Sequence, residues 1–320
     1  MSGKILFHIG MPKAASSTLQ KEIFRKYLKH SNYTKFGAFK KQANLLRYGL
    51  LGLDDEAFAR YFEKIKSHIN KLPYEENVNV FSESGICNEN FEKNIHRLSK
   101  VFNGENKIDE FLLIVRRQDQ TFLSSITHRG PLGLIPTSMS LSDTLDQVIS
   151  NLDSGTSKDQ VIANFISSLD YLNIYETLTK HFPKSRINVL VFEELVTNKK
   201  VFLDKLKTIL KLDQEIKLHK ERNKSIKNSD ESKYFWKGKI FPFREKLLEN
   251  PFYTGFYFAG FRRRALLTII KRITLIFRFR NNISVEVNES QRQEILNAYK
   301  HSNQKLNKLL SLNLDKYNYF

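Results

Sequence analysis

Apolar residues recur along this chain in two distinct periods. Short runs of strand length occur at Lys4-Ile5-Leu6-Phe7, Asn79-Val80-Phe81, Phe111-Leu112-Leu113-Ile114-Val115 and Arg186-Ile187-Asn188-Val189-Leu190-Val191-Phe192. The third has no polar position on either face, as expected at the centre of a parallel sheet. Helical spacing fills the intervals. Leu19, Ile23 and Tyr27 form a stripe after a helix start near Ser16 or Ser17, and Phe58, Phe62, Ile65 and Ile69 form another on Asp54–Leu72. Further helices are predicted at Asp119–Thr127, Val161–Leu178, Val201–Leu212 and Glu289–Leu310, the last anchored by Ile295, Tyr299, Leu306 and Leu310. Strands alternating with helices predict an α/β three-layer sandwich around a central, mostly parallel sheet. Ligands of such sheets bind beyond the carboxyl ends of the strands. His8, Gly10 and Arg116 fall there, as does Glu83, in a turn predicted at Ser82-Glu83-Ser84-Gly85.

The pattern weakens in two places. Residues 129–159 are polar and punctuated by Pro and Gly, which suits a lid or acceptor-binding segment. After Asp213 the chain turns basic and aromatic around Trp236. The simplest organisation is one domain over 1–320, with an α/β cofactor-binding core at 1–215 and a C-terminal elaboration with a closing helix at 216–320. Within the latter, 259–281 interleaves apolar residues with Arg262, Arg263, Arg264, Lys271, Arg272, Arg278 and Arg280. A packed helix with solvent-facing arginines is favoured there over an amphipathic element on an anionic membrane surface.

Composition narrows the classes. The chain of 320 residues is 41% hydrophobic and 12% aromatic, with 25 Phe and 13 Tyr, enough for a substantial core and too much for general disorder. Its one cysteine, Cys87, excludes an internal disulfide framework and reads as a packed residue. No long apolar signal region opens the chain, and no run approaches the roughly 18 apolar residues of a spanning helix. A cytoplasmic protein is expected, with peripheral contact at the inner membrane face as an option. The formal charge of +18 attracts polyanions. A phosphorylated cofactor, an acidic glycan, a lipid headgroup layer and nucleic acid satisfy it equally, so charge does not choose among them, and no specific nucleic acid is expected. No residues show metal-ligand spacing.

The chemistry concentrates at His8-Ile9-Gly10-Met11-Pro12-Lys13-Ala14-Ala15-Ser16-Ser17-Thr18-Leu19-Gln20. A strand, a tight lysine-bearing loop and a helix start converge backbone N–H groups on one spot, a phosphate site. Lys13 adds a mobile point charge, and Ser16, Ser17 and Thr18 add hydroxyls. The loop is not a nucleoside-triphosphatase P-loop, whose Gly-rich span directly precedes Gly-Lys-Ser/Thr. It also lacks the spaced glycines of a dinucleotide fingerprint.

These residues resemble the N-terminal loop of sulfotransferases that use 3'-phosphoadenosine-5'-phosphosulfate (PAPS), whose desulfated product is 3'-phosphoadenosine-5'-phosphate (PAP). The family's Pro-Lys-Thr-Gly-Thr-Thr type run binds the 5' phosphosulfate side. The resemblance assigns the cofactor to Gly10, Pro12, Lys13, Ala14, Ala15, Ser16, Ser17 and Thr18. Ala14 departs from it by losing a hydroxyl, and Ala15 stands in place of a Gly. A second segment, Val115-Arg116 with Ser124 eight positions on, is similar to the family's 3'-phosphate site. The proline usual after that arginine is replaced by Arg117-Gln118. Weaker similarity runs through Val189–Leu195, Arg222-Asn223-Lys224-Ser225 and the last helix with Tyr299 and Asn303. There Arg222 and Ser225 resemble a segment that covers the nucleotide, while Trp236 or Phe235 could stack on an adenine or a sugar face or serve as packing anchors. The bacterial and glycan-modifying members are the nearest in character, and the implied fold is the P-loop NTPase-like sulfotransferase fold.

Sulfuryl transfer requires a stabilised leaving phosphate, an in-line acceptor and a base. Lys13 suits the first role. Glu83 is the first candidate for the base, by resemblance to the glutamate of glycan-modifying members. His128 is the second, since histidine titrates near neutrality. His8 is read as structural or supporting. The implied activity is transfer to a hydroxyl, less readily an amine, of a glycan, glycolipid or small hydroxyl compound. A nucleotide-dependent phosphotransferase and a non-enzymatic basic polyanion- or nucleic-acid-binding protein are the alternatives.

Overall fold

The computed structural model describes residues 3–11, 13–28, 33–35, 55–70, 78–83, 86–87, 91–104, 107–129, 146, 148–152, 166–218 and 287–320. Its centre is a five-stranded parallel sheet of β1 (Lys4–Ile9), β2 (Tyr33–Lys35), β3 (Val78–Glu83), β4 (Glu110–Val115) and β5 (Arg186–Val191), in the order β2-β3-β1-β4-β5. The expected α/β class with a parallel sheet is therefore what the chain adopts. β1 lies between β3 and β4, the two strands that follow on opposite sides of it, so the direction of winding switches at its carboxyl end.

The helical segments are α1 (Ser16–Thr18, continued by a π-helical Leu19–Phe24 and by Arg25–Tyr27), α2 (Asp55–Asn70), α3 (Phe91–Val101), α4 (Gln118–Arg129), α5 (Tyr171–His181), α6 (Phe192–Thr197), α7 (Lys199–Leu210) and α8 (Glu289–Leu310). Alternate residues of each strand face opposite layers. On one face Phe7, Phe81 and Phe111 meet Phe102 and Phe182 in edge and tilted ring contacts at 4.8–6.2 Å. On the other, His8 packs edge-on against Phe24 of α1 at 5.3 Å. Both faces are thus covered, which explains why all six residues of β3 and of β4 are buried. A smaller cluster of Phe122, Val148, Ile149, Leu152, Ile166, Leu169, Ile295 and Tyr299 seats α8 against α4.

Several expectations shift in detail. The strands at Asn79–Phe81 and Lys4–Phe7 extend to Val78–Glu83 and Lys4–Ile9, so Glu83 closes a strand rather than standing in a turn. The helix expected over Val161–Leu178 is interrupted: Ile166 and Ser167 are helical, the chain turns at 168–169, and α5 begins at Tyr171, where the Asp170 side chain accepts the Asn173 amide and caps it. That cap is itself held by the Ser302 hydroxyl of α8 at 2.5 Å. β2 and α3 had no counterpart in the apolar pattern. α8 matches its expected bounds and opens with a reciprocal Asn288/Gln291 capping box. Pro12, Ser84, Gly85, Arg222, Ser225, Phe235, Trp236, the 259–281 element and most of the 129–159 segment lie outside the described residues, as does the side chain of His128.

Candidate functional site

The chain leaves β1 through a tight reversal. The Gly10 amide donates to the Glu83 carbonyl at 2.8 Å, and the Met11 amide reaches back to the Ile9 carbonyl at 3.0 Å. Lys13 and Ala15 then adopt left-handed backbones, at φ 56° and 59°, with Ala14 buried between them. Two left-handed residues so close turn successive amides inward, the geometry of an anion-binding nest. Each costs about 1–2 kcal/mol in a residue with a Cβ. The Ala15 carbonyl accepts from the Thr18 and Leu19 amides at 2.8 and 3.0 Å and starts α1. No side chain caps that start. The Ser16 and Ser17 amides have no acceptor among the described residues, the ordinary state of a helix's first turn.

The loop hydroxyls divide their work. Ser16 donates to the Met11 carbonyl at 3.1 Å and braces the loop. Thr18 is buried, whereas Ser17 is exposed. Beneath the loop, His8 Nδ1 lies 2.7 Å from Ser82 Oγ, which also accepts from Gln20 Nε2 at 2.9 Å. Burial holds the His8 pKa down at about 3, so the ring is neutral at any ordinary pH. The ring and the Ser82 hydroxyl share one hydrogen bond, whose direction follows the imidazole tautomer. His8 is thus enclosed beneath the loop against Ser82 and Phe24.

β4 ends beside this loop. Arg116 Nη1 donates to the Lys13 carbonyl at 2.9 Å, and its guanidinium lies 4.6 Å over the Phe192 ring of α6. Its Nε is buried with no hydrogen-bond partner among the described residues. Desolvation lowers the Arg116 pKa from its usual value, although the nearby Glu193 charge opposes that shift. Arg117 turns away into a two-bond pair with Asp119, at 2.7 and 2.9 Å. Ser124 lies on α4, half-buried.

The described site therefore gathers Gly10, Lys13, Ala14, Ala15, Ser16, Ser17, Thr18, Glu83 and Arg116 around one edge of the sheet. Glu83 is 5% exposed, and in register it stands beside Ile9, one residue before Gly10. The arrangement offers fixed amides, a half-buried lysine and an arginine whose buried Nε has no partner among the described residues, an environment that stabilises concentrated negative charge. No cluster of His, Cys, Asp or Glu among the described residues could hold a metal ion. No helix among them is long and apolar enough to cross a membrane.

Four residues at this edge carried no role in the sequence: Tyr171, Phe192, Glu193 and Tyr319. Phe192 and Glu193 immediately follow a strand in an α/β alternation and fall within the weak similarity over Val189–Leu195, the two signals that could have flagged them. Tyr171 and Tyr319 carry no such signal, since their partners are remote in sequence.

No protein-family model matches the chain, and no curated protein matches it. Among solved structures, the chain is similar to a sulfotransferase from Alicyclobacillus acidocaldarius, at 13% identity and a TM-score of 0.42. The match covers 69% of this chain and 87% of that one.

Proposed function

We propose that this protein is a sulfotransferase that moves the sulfuryl group of PAPS to an acceptor hydroxyl, with a glycan or glycolipid as the first acceptor class. One observation carries the reading: the hydrogen bond from Arg116 Nη1 to the Lys13 carbonyl. It joins the two segments that separately resemble the two phosphate-binding ends of the family's nucleotide site. The left-handed loop and the Arg116 Nε, which has no partner among the described residues, fit an anionic ligand.

The donor supplies an activated sulfuryl group, whose sulfur–oxygen bond to the 5'-phosphate breaks as the acceptor oxygen bonds to sulfur. Lys13 and the loop amides balance the charge that builds on the leaving phosphate. Arg116 and Ser124 hold the 3'-phosphate, and Ser17 offers its exposed hydroxyl to the phosphosulfate side. Glu83 takes the acceptor's proton, with His128 as the second candidate for the same role.

The test is thermal denaturation of the full chain with PAP, with ATP plus Mg²⁺ as the parallel arm, followed by labelled sulfuryl transfer to a panel of glycans, phenols and amines. A ligand at 100 times its Kd adds about 2.7 kcal/mol of stability. The expected outcome is a rise in Tm with PAP and label appearing in a glycan. A rise with ATP and Mg²⁺ alone points to phosphotransfer, and no rise with PAP removes the sulfotransferase reading.

A further inference from the structure

The peptide that carries Arg116 is held from two sides. The Tyr171 hydroxyl accepts from the Arg116 amide at 3.4 Å and donates to the Arg116 carbonyl at 2.5 Å. The next amide, that of Arg117, donates to Glu193 Oε1 at 2.9 Å, and Glu193 Oε2 accepts from the Tyr319 hydroxyl at 2.7 Å. Tyr319 is completely buried, and its carbonyl accepts from Asn303 Nδ2 at 3.1 Å. Asn303 and Gln118 exchange amide hydrogen bonds at 2.9 and 3.1 Å. Gln118 follows Arg117 in the chain, so the bonds close into a ring: Arg117, Glu193, Tyr319, Asn303, Gln118.

The ring ties the β4–α4 junction to the β5–α6 junction, to α8 and to the segment after it. Burial raises the pKa of both Glu193 and Tyr319, the signature of polar groups held at a cost in solvation. Apolar residues of the same volume would fill such a site with no such cost. What the polar ring adds is geometry, because it fixes the peptide plane from which the Arg116 side chain departs. Misplacing a ligand-holding group by about 1 Å can cost 10²-fold in rate.

We propose that Tyr319 is a positioning residue for the donor nucleotide: through Glu193 it sets the Arg117 peptide, and with it the point at which the Arg116 guanidinium meets the 3'-phosphate. This rests on the sulfotransferase reading above. Tyr171 holds the other side of the same peptide, so the arginine is steadied by two hydroxyls that never touch the ligand.

Tyr319→Phe removes one hydroxyl and keeps the ring packing. The experiment measures PAP binding to the full chain by calorimetry, together with kcat, donor KM, acceptor KM and Tm. The expected result is about a tenfold rise in PAP Kd and donor KM, with kcat and acceptor KM within twofold of wild type. A merely structural role would lower Tm without that split. Should Tyr319→Phe not accumulate as folded protein, Glu193→Gln carries the test, since its amide keeps the size and a carbonyl for Arg117 but loses the charge that orients Tyr319. A threefold to tenfold weakening of PAP binding is expected there. PAP binding within twofold of a binding wild type in the folded variant overturns the role of Tyr319 alone. A wild type that binds no PAP overturns the sulfotransferase reading and this role with it.

Discussion

The two edges of the central sheet treat polar groups in opposite ways. At the amino edge almost every polar atom is used to join strands. Lys4 pairs with Glu110, Asn188 Nδ2 donates to Glu110 and to the Phe111 carbonyl at 3.1 and 3.2 Å, and Asp109 accepts the Ile5 amide at 2.9 Å. At the carboxyl edge, two residues with side chains sit in left-handed backbone, and the buried nitrogens His8 Nε2 and Arg116 Nε have no partner among the described residues. Paired groups hold a fold together, whereas strain and unpaired polar atoms persist where something other than stability maintains them. The same sheet therefore separates its staples from its candidate site by the length of one strand.

That separation is broken most directly by crossing one substitution at each edge. Lys13→Ala is expected to lower sulfuryl transfer by 10² or more, about 3 kcal/mol of transition-state stabilisation. Its Tm should stay close to wild type, because the side chain is half-buried and the backbone strain at Lys13 is unchanged. Glu110→Ala should do the reverse. It strands Lys4 and the buried Asn188 and costs about 2 kcal/mol, near 4 °C in Tm, with transfer per folded molecule unaltered at 20 °C. Labelled transfer and thermal denaturation of both variants give four numbers. If Glu110→Ala loses transfer as Lys13→Ala does, the edges are not separate.

Acid sharpens the comparison by acting first beneath the loop. His8 has a folded pKa of about 3 against an ordinary 6.5, because burial excludes its charged form. Below pH 6.5 the unfolded chain takes up a proton that the folded chain refuses. The His8 contribution is therefore complete above pH 6.5 and is lost as pH falls toward 3, at about 1.4 kcal/mol per pH unit. Urea denaturation at pH 7.5 and pH 5 should show a wild-type loss about 2 kcal/mol larger than that of His8→Gln. Equal losses in the two proteins would mean that His8 becomes charged in the folded state.

How much of this was legible depended on how local each cause is. β4 was readable because five consecutive apolar residues leave no exposed face, and α8 because its apolar anchors and its cap are both local. β2 is three residues long and gives no period to detect. The break before Tyr171 comes from one capping aspartate inside an otherwise helical spacing. The loop after β1 could be read as an anion site from its residue types, and Lys13, Arg116 and Glu83 do gather at one sheet edge. The arginine's first partner is nevertheless a backbone carbonyl of the loop, which no side-chain pattern encodes. The ring through Tyr319 was invisible for the same reason, since four of its five links are made by tertiary proximity and only Arg117–Gln118 is local.

The smallest expected effect concerns the loop's strain itself. Ala15 is left-handed at φ 59°, while its neighbour Ala14 is buried and not left-handed. A glycine at position 15 relieves a backbone cost of about 1–2 kcal/mol and adds roughly 0.4–1 kcal/mol of unfolded-state entropy. Ala15→Gly should thus be more stable by about 0.5 kcal/mol, near 1 °C in Tm. Ala14→Gly gains no such relief, loses a buried methyl and should be less stable by about 1 kcal/mol. The opposite signs make the pair informative where either shift alone is small. If both glycines destabilise, the carboxyl edge stores no strain at Ala15, and its contrast with the amino edge reduces to the His8 and Arg116 nitrogens that have no partner among the described residues.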